Sequence, residues 1–455
     1  MVADDLMQKL STKWQKYAGG SANSQIFSAI LLVSGLTFGA KFLAMGKEVL
    51  LAATFGTGDT LDAFLIAFLL PSYVMTVVSG SLSAALIPTY VQVHEQEGAQ
   101  ASQRLFSGVL TWSIILLVSL TALLGLSGGW ILRMLGLGFS PEKQVLSESL
   151  FFILLVGIVI SGLSTVCSAI LNARRCFGFT SLAGMAVPLV SVITLLLLRD
   201  NKGISAFALS IVVGFSVELA LLGWWLSRQG LDLRPRWYGM DAALRSTVKQ
   251  YFPSVAAAVL MNSAPLIDQT MATMLDSGSV AILNYSNKIA ALIVGIGAMA
   301  LGTAVLPYFS KMVATNDFSA IRHTLKTYLR LILLVSIPLT LALCFCSEDI
   351  VRMIFQRGAF TEVDTHNVAI VQVMFLLQIP FHTTALLFAK LTISLRANHI
   401  IMWGACISFG INVICDYFFM QFFGVAGIAL STTVVYLINM IFLWIMTSRH
   451  LHNLG

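Results

Sequence analysis

GKEVLLAATFGTGDTLDAFLIAFLLPSYVMTVVSGSLSAALIPTY, Gly46 to Tyr90, sets charges inside apolar sequence and parts them with a glycine-rich turn. Lys47 and Glu48 lie in a run apolar enough for lipid, Asp62 begins the next such run, and Lys41 precedes both. An ionisable group at membrane depth is costly and is kept where it faces a bundle interior or a partner. The stretch therefore predicts a polar site within a helical membrane protein.

The rest of the chain agrees. Of 455 residues, 57% are hydrophobic and only 11% charged, and mean hydropathy is +0.87. That composition excludes an ordinary soluble protein. Apolar runs fall near 26–54, 62–87, 105–127, 146–171, 181–198, 204–226, 248–274, 280–307, 324–345, 366–392, 400–419 and 425–447. Most approach the roughly 20 residues that an α-helix needs to cross a bilayer. The expected fold class is an all-α polytopic membrane protein of about 12 transmembrane helices in two pseudo-symmetric six-helix lobes around a central cavity.

The lobes are expected at 25–226 and 248–455, joined by a cytoplasmic linker at 227–247 that carries Arg228, Arg234, Arg236 and Arg245. A weak internal repeat supports them: SLSAALIPTY (Ser81 to Tyr90) resembles ALGTAVLPYF (Ala300 to Phe309), and Pro88 matches Pro307. With one residue of slippage, Glu48 falls opposite Asp268 and Gly58 opposite Gly278. Both halves begin on the same side, so the repeat is parallel, about an axis along the membrane normal. Residues 1–24 place Leu6, Leu10, Trp14 and Tyr17 at helical spacing beside lysines, which predicts an interfacial amphipathic helix.

The net charge of +6 is spread over short gaps. With a cytoplasmic N-terminus, fifteen Lys and Arg fall in inner segments; Arg133, Lys143, Arg199, Lys202, Arg352 and Arg357 fall outside. This bias reads as topology, with both termini cytoplasmic, and not as nucleic-acid binding. The six cysteines show no CxxC or Cys/His ligand spacing and read as small packing residues. Gly46–Lys47 is no phosphate loop, because the GxxxxGK[ST] spacing is missing. Nothing calls for catalysis, a cofactor or a metal centre.

At 1.5 Å per residue, Lys47 is expected about 10 Å and Lys41 about 20 Å from the outer end of the first helix. By the same rise Asp268 lies about 9 Å and Lys288 about 12 Å from the outer ends of theirs. Lys47, Glu48, Asp268 and Lys288 should thus share a depth, with Asp62 at the outer start of the second helix. Lysines here suit an anionic group, and carboxylates suit holding those lysines or a cation. The alternative is charge pairs that lock helices together, or Lys47 snorkelling to the interface. His382, beside Pro380, reads as a core histidine and alternatively as a proton relay.

These residues carry a resemblance. The run from Lys41 to Tyr90 resembles the start of the lipid II flippase family (MurJ/MviN), within the multidrug/oligosaccharidyl-lipid/polysaccharide exporter superfamily. LNARRCFGFTS (Leu171 to Ser181), NYSNKIAALIVGIGAMALGTAVLPYFSK (Asn284 to Lys311) and IFQRGAFTEVDT (Ile354 to Thr365) agree with it in order. The resemblance implies alternating access that moves an undecaprenyl-pyrophosphate-linked saccharide across the bacterial cytoplasmic membrane. It implies pyrophosphate binding by Lys41, Lys47 and Lys288, and cavity or coupling roles for Glu48, Asp62 and Asp268. Membrane lipids, a coupling cation and polysaccharide-assembly proteins are the implied partners.

The chain departs from the family pattern at those positions. All three basic residues are lysine where the family has arginine, which keeps charge and gives up the bidentate fork. Two C-terminal helices that line a lipid-tail groove in the family are not reached before Gly455. Lipid II and an exopolysaccharide repeat unit are both compatible cargoes. A cation-coupled multidrug antiporter of the same superfamily and a non-transporting envelope-synthesis scaffold are the alternative readings.

Overall fold

Apolar runs that carry few charges and no water-facing stripe close their backbone hydrogen bonds within helices, since lipid offers the backbone no partner. The computed structural model describes residues 22–197 and 203–454, and 1–21 of the predicted interfacial helix lie outside the described residues. Among them the order is α1 Ala22–Phe55, α2 Asp59–Val74, α3 Gly80–Glu97, α4 Ala99–Leu135, α5 Pro141–Ala173, α6 Phe177–Ala183, α7 Ala186–Leu197, α8 Gly203–Arg228 and α9 Ala242–Met261. There follow α10 Ala264–Ala272, α11 Ser279–Ala300, α12 Leu306–Ala314, α13 Phe318–Phe345, α14 Ser347–Phe355, α15 Glu362–Leu376, α16 Gln378–Ser394, α17 Asn398–Phe423 and α18 Val425–Leu454. The described residues contain no strand. Nine helical stretches among them are long and apolar enough to cross a membrane, a count compatible with about twelve spans.

Proline and glycine explain most of the interruptions. Pro71 removes a hydrogen bond inside α2, and the chain continues through a π-helical turn at Met75–Ser79 into α3. Pro265 sits in the first turn of α10, just after the break that ends α9 at Met261. Pro380 sits likewise in the first turn of α16, after the break at Leu377. In these last two the ring occupies a first-turn position whose N–H has no helical acceptor to lose.

The chain forms two compact units. The first comprises the described residues to Leu50, Ser79–Thr121 and Val156–Tyr251. Within it α7 lies along α8, with Ser210 Oγ 3.3 Å from Ser191 Oγ. The Arg174 guanidinium donates to Tyr90 Oη at 3.0 Å. Gln103 anchors the segment after α8 twice, donating to the Asp232 carbonyl at 2.8 Å and accepting from the Asp232 amide at 3.2 Å.

The second unit comprises Leu51–Val78, Ala122–Leu155 and Phe252–Gly455. A buried cluster that includes Phe309, Ile321, Phe388, Leu391 and Ile400 packs one end. Toward the other end, the Tyr285, Phe355 and Phe360 rings pack in tilted and edge-on pairs with centroids 5.1–5.8 Å apart, each pair contributing about 0.5–1.5 kcal/mol beyond its buried area.

Candidate functional site

Four turns of the second unit meet above that aromatic cluster. They are the turns after α1, before α5, between α10 and α11, and before α15. Their backbones touch: the Ala359 amide donates to the Ala53 carbonyl at 2.8 Å, and the Thr273 hydroxyl donates to the Leu135 carbonyl at 3.1 Å. Thr361 caps α15 through a capping box with Asp364, and the Thr57 hydroxyl donates to the same carboxylate. Such proximity needs glycine. A Cβ on Gly278, at φ +87°, would lie 2.1 Å from the Thr57 carbonyl oxygen, and one on Gly358, at φ +61°, 2.2 Å from that of Ala53.

Asp62 lies at the centre of this knot and is 1% exposed. Gly278 precedes α11 and has no side chain with which to cap it. Asp62 supplies the missing cap from α2, its carboxylate accepting from the Gly278 and Ala281 amides at 2.8 Å each. Lys143 of α5 donates to Asp62 at 2.8 Å and to Asp59 at 2.6 Å, and its own side chain is only 7% exposed. Asp59 also accepts from the Ser277 hydroxyl at 2.7 Å. A buried pair of this kind gains little over an apolar one but is costly to break from one side. The arrangement ties α2, α5 and the start of α11 together. Lys143 and Asp59 were not singled out by sequence, where Lys143 reads only as a loop charge.

A second cluster lies deeper in the same unit. Asp268 of α10 is 8% exposed, and Asp416 and Asn412 of α17 are 0% and 2% exposed. Asn412 Nδ2 donates to Asp268 Oδ1 at 3.0 Å. The Asp416 carboxylate faces that of Asp268, with the Ser431 and Thr432 hydroxyls beside the pair. Among the described residues no lysine or arginine acts on either carboxylate. Both Asp416 oxygens and Asn412 Oδ1 are buried without a hydrogen-bond partner. Two adjacent buried carboxylates cannot both remain charged without compensation, so the pair needs either a shared proton or a bound cation. Its donors are all oxygen, which suits a hard cation or a proton. No group of three His, Cys, Asp or Glu side chains suited to a metal occurs among the described residues.

Sequence singled out Asp268 and passed over Asp416 and Asn412. Asp416 interrupts the apolar run 400–419 as Asp268 interrupts 248–274, so the signal was present. Glu218, half-buried in α8, is another charge of this kind.

The basic residues are placed as follows. In the first unit Lys41 is exposed on α1, and Lys47 pairs with Glu48 at 2.9 Å, the two side chains 21% and 15% exposed. The Lys47 ammonium also lies 5.9 Å from the centroid of the Phe207 ring. In the second unit Lys288 is half-buried on α11, about 14 Å along the helix from Ser279. His382 of α16 stacks on Tyr436 of α18 with centroids 3.8 Å apart. All six cysteines are free.

Residues 51–454 match the model of a family described as lipid II flippase MurJ. The probable lipid II flippase MurJ of Buchnera aphidicola subsp. Acyrthosiphon pisum is 24% identical over 92% of this chain and 83% of its own length. That of Helicobacter pylori is 26% identical over 88% of this chain and 89% of its own. Among solved structures, a lipid II flippase MurJ in an inward closed conformation superposes with a TM-score of 0.79 at 24% identity, covering 92% of this chain and 87% of that one. An inward-facing multidrug resistance MATE transporter of the MOP superfamily gives 0.74 at 13% identity over 93% and 98%. Both structural likenesses concern the fold.

Proposed function

Because the chain belongs to the lipid II flippase MurJ family, we propose that it moves a polyprenyl-pyrophosphate-linked saccharide across the bacterial cytoplasmic membrane by alternating access. Membership makes it a membrane transporter of cell-envelope synthesis. The observation that carries the choice of cargo is the Lys47–Glu48 pair, half-buried in a helix whose one other charged side chain is Lys41. A lysine paired with an adjacent carboxylate at such a place is a latent anion site. An arriving pyrophosphate offers its ammonium more oxygen acceptors than one carboxylate does.

In this reading Lys41, Lys47 and Lys288 each donate to pyrophosphate oxygens, and Glu48 holds Lys47 while cargo is absent. Lysine, a point charge on a flexible stem, tolerates varied phosphate geometry where arginine would fix it. An exopolysaccharide repeat unit and lipid II are therefore both candidate cargoes. Asp268, Asn412 and Asp416 take a coupling cation, which supplies the driving force without covalent chemistry. With both termini cytoplasmic, the four-turn knot lies on the outer face.

A vesicle translocation assay with purified lipid II and other polyprenyl-pyrophosphate saccharides tests the reading. Transport of at least one is expected. Drug export without transport of any such lipid would instead identify a cation-coupled drug antiporter. Absence of any transport, with lysine-neutralised variants still supporting envelope synthesis in cells, would point to a non-transporting scaffold.

A further inference from the structure

A cavity of about 290 Å³ adjoins the Asp268 cluster inside the second unit. It follows one face of each of two neighbouring helices. On α17 its wall is Ile401, Ala405, Ser408 and Asn412; on α18 it is Thr432, Tyr436, Asn439 and Leu443. Each set runs at i, i+4, i+7 and i+11, so the cavity extends about 16 Å along the bundle. One end is the asparagine that binds Asp268. The other points toward Asn398 and Leu454, where α17 begins and α18 ends. The side wall includes the break between α9 and α10, at Met261 and Ser263.

An empty apolar cavity would be dry, but this one is lined by polar atoms without protein partners. Ser408 Oγ, His382 Nδ1 and Asn412 Oδ1 are all buried and unpaired. Buried polar atoms are nearly always satisfied, by water if not by protein. At roughly 30 Å³ per water, the volume holds about ten. The Met261 and Phe409 side chains, also in the wall, are 67% and 40% exposed, so the wall is one side chain thick there.

We propose that this cavity is the hydrated path by which the coupling cation reaches and leaves the Asp268–Asp416 pair, with Ser408 and Asn439 as its facing polar walls. The path rests on the reading that the pair binds a cation, and it adds a direction. The ion exchanges through the half of the unit that holds the start of α17 and the end of α18, away from the Asp62 knot. Hydroxyl, amide and imidazole groups spaced along the path replace part of the ion's water shell, while apolar residues between them keep it from stopping short. The separation lets ion exchange proceed while the knot remains closed.

Sodium-22 binding to the purified full chain tests the path. Ser408→Leu and Asn439→Leu each fill the cavity from opposite walls without touching the carboxylates. Both are expected to slow sodium exchange at least tenfold while changing equilibrium affinity less than about twofold, because a path residue alters both rate constants together. Unchanged exchange in both folded variants, with wild-type binding intact and lost in Asp416→Asn, overturns the path and leaves the cation site standing. Absence of sodium binding in the wild type overturns the cation reading and the path with it. Thermal unfolding of each variant identifies any that is misfolded, and the facing variant then decides.

Discussion

Asp59 and Asp62 share one lysine at nearly equal distances, 2.6 and 2.8 Å, yet replacing them should have very different consequences. In a uniform medium the two attractions would be almost equal. Burial separates them: Asp62 is 1% exposed and Asp59 64%. Asp62→Ala removes the buried one of Lys143's two carboxylate acceptors and the side-chain acceptor of the Gly278 and Ala281 amides. Breaking a buried pair from one side costs about 3–5 kcal/mol, and two buried amides left unsatisfied, at about 1–3 kcal/mol each, give a similar figure. Asp59→Ala breaks a solvent-screened contact worth about 0–1 kcal/mol. Hydrogen exchange of the peptide spanning Gly278 to Ala281, read by mass spectrometry on protein in lipid nanodiscs, reports opening of the α11 N-terminus. At about 1.4 kcal/mol per tenfold, exchange should accelerate from roughly a hundred- to several-thousand-fold in Asp62→Ala, and less than about tenfold in Asp59→Ala. Equal acceleration in the two variants, or less than tenfold in Asp62→Ala, would refute the claim that burial and capping make Asp62 the fastening residue.

Further outcomes are expected. Lys47→Ala and Lys288→Ala should each weaken cargo affinity about ten- to a hundred-fold, from the loss of one charge-assisted interaction of about 1.5–3 kcal/mol, while Lys47→Arg retains transport; the vesicle assay reads all three. A cation at a hundred times its dissociation constant should stabilise the wild type by about 2.7 kcal/mol, and Asp416→Asn should abolish that gain in a thermal shift titrated with sodium. Gly278→Ala should lower the unfolding midpoint far more than Gly230→Ala. Both sit at positive φ, +87° and +80°, but only at Gly278 does the new Cβ meet backbone, at 2.1 Å, while Gly230 faces open space.

Many of the buried and half-buried charges were legible in the chain because a charge in lipid-compatible sequence needs a reason. Lys47, Glu48, Asp62 and Asp268 stand out on that ground alone, and Asp416 carries the same signal within the run from 400 to 419. The helix breaks before Pro265 and Pro380 follow from the missing N–H of proline. Lys143 was different. It sits at the start of its helix, in the loop where a topology charge is expected, and nothing in its neighbours marks it as buried.

Sequence alone therefore determined the solvent of this protein, its helical class and the family to which it belongs, because hydropathy and backbone satisfaction act locally along the chain. The tertiary structure decided the partners: Lys143 with Asp62, Asp62 with the start of α11, Asp416 with Asp268. Pairs separated by 81, 216 or 219 positions are set by how helices pack and by glycines that let turns touch, and charge type without distance does not specify them.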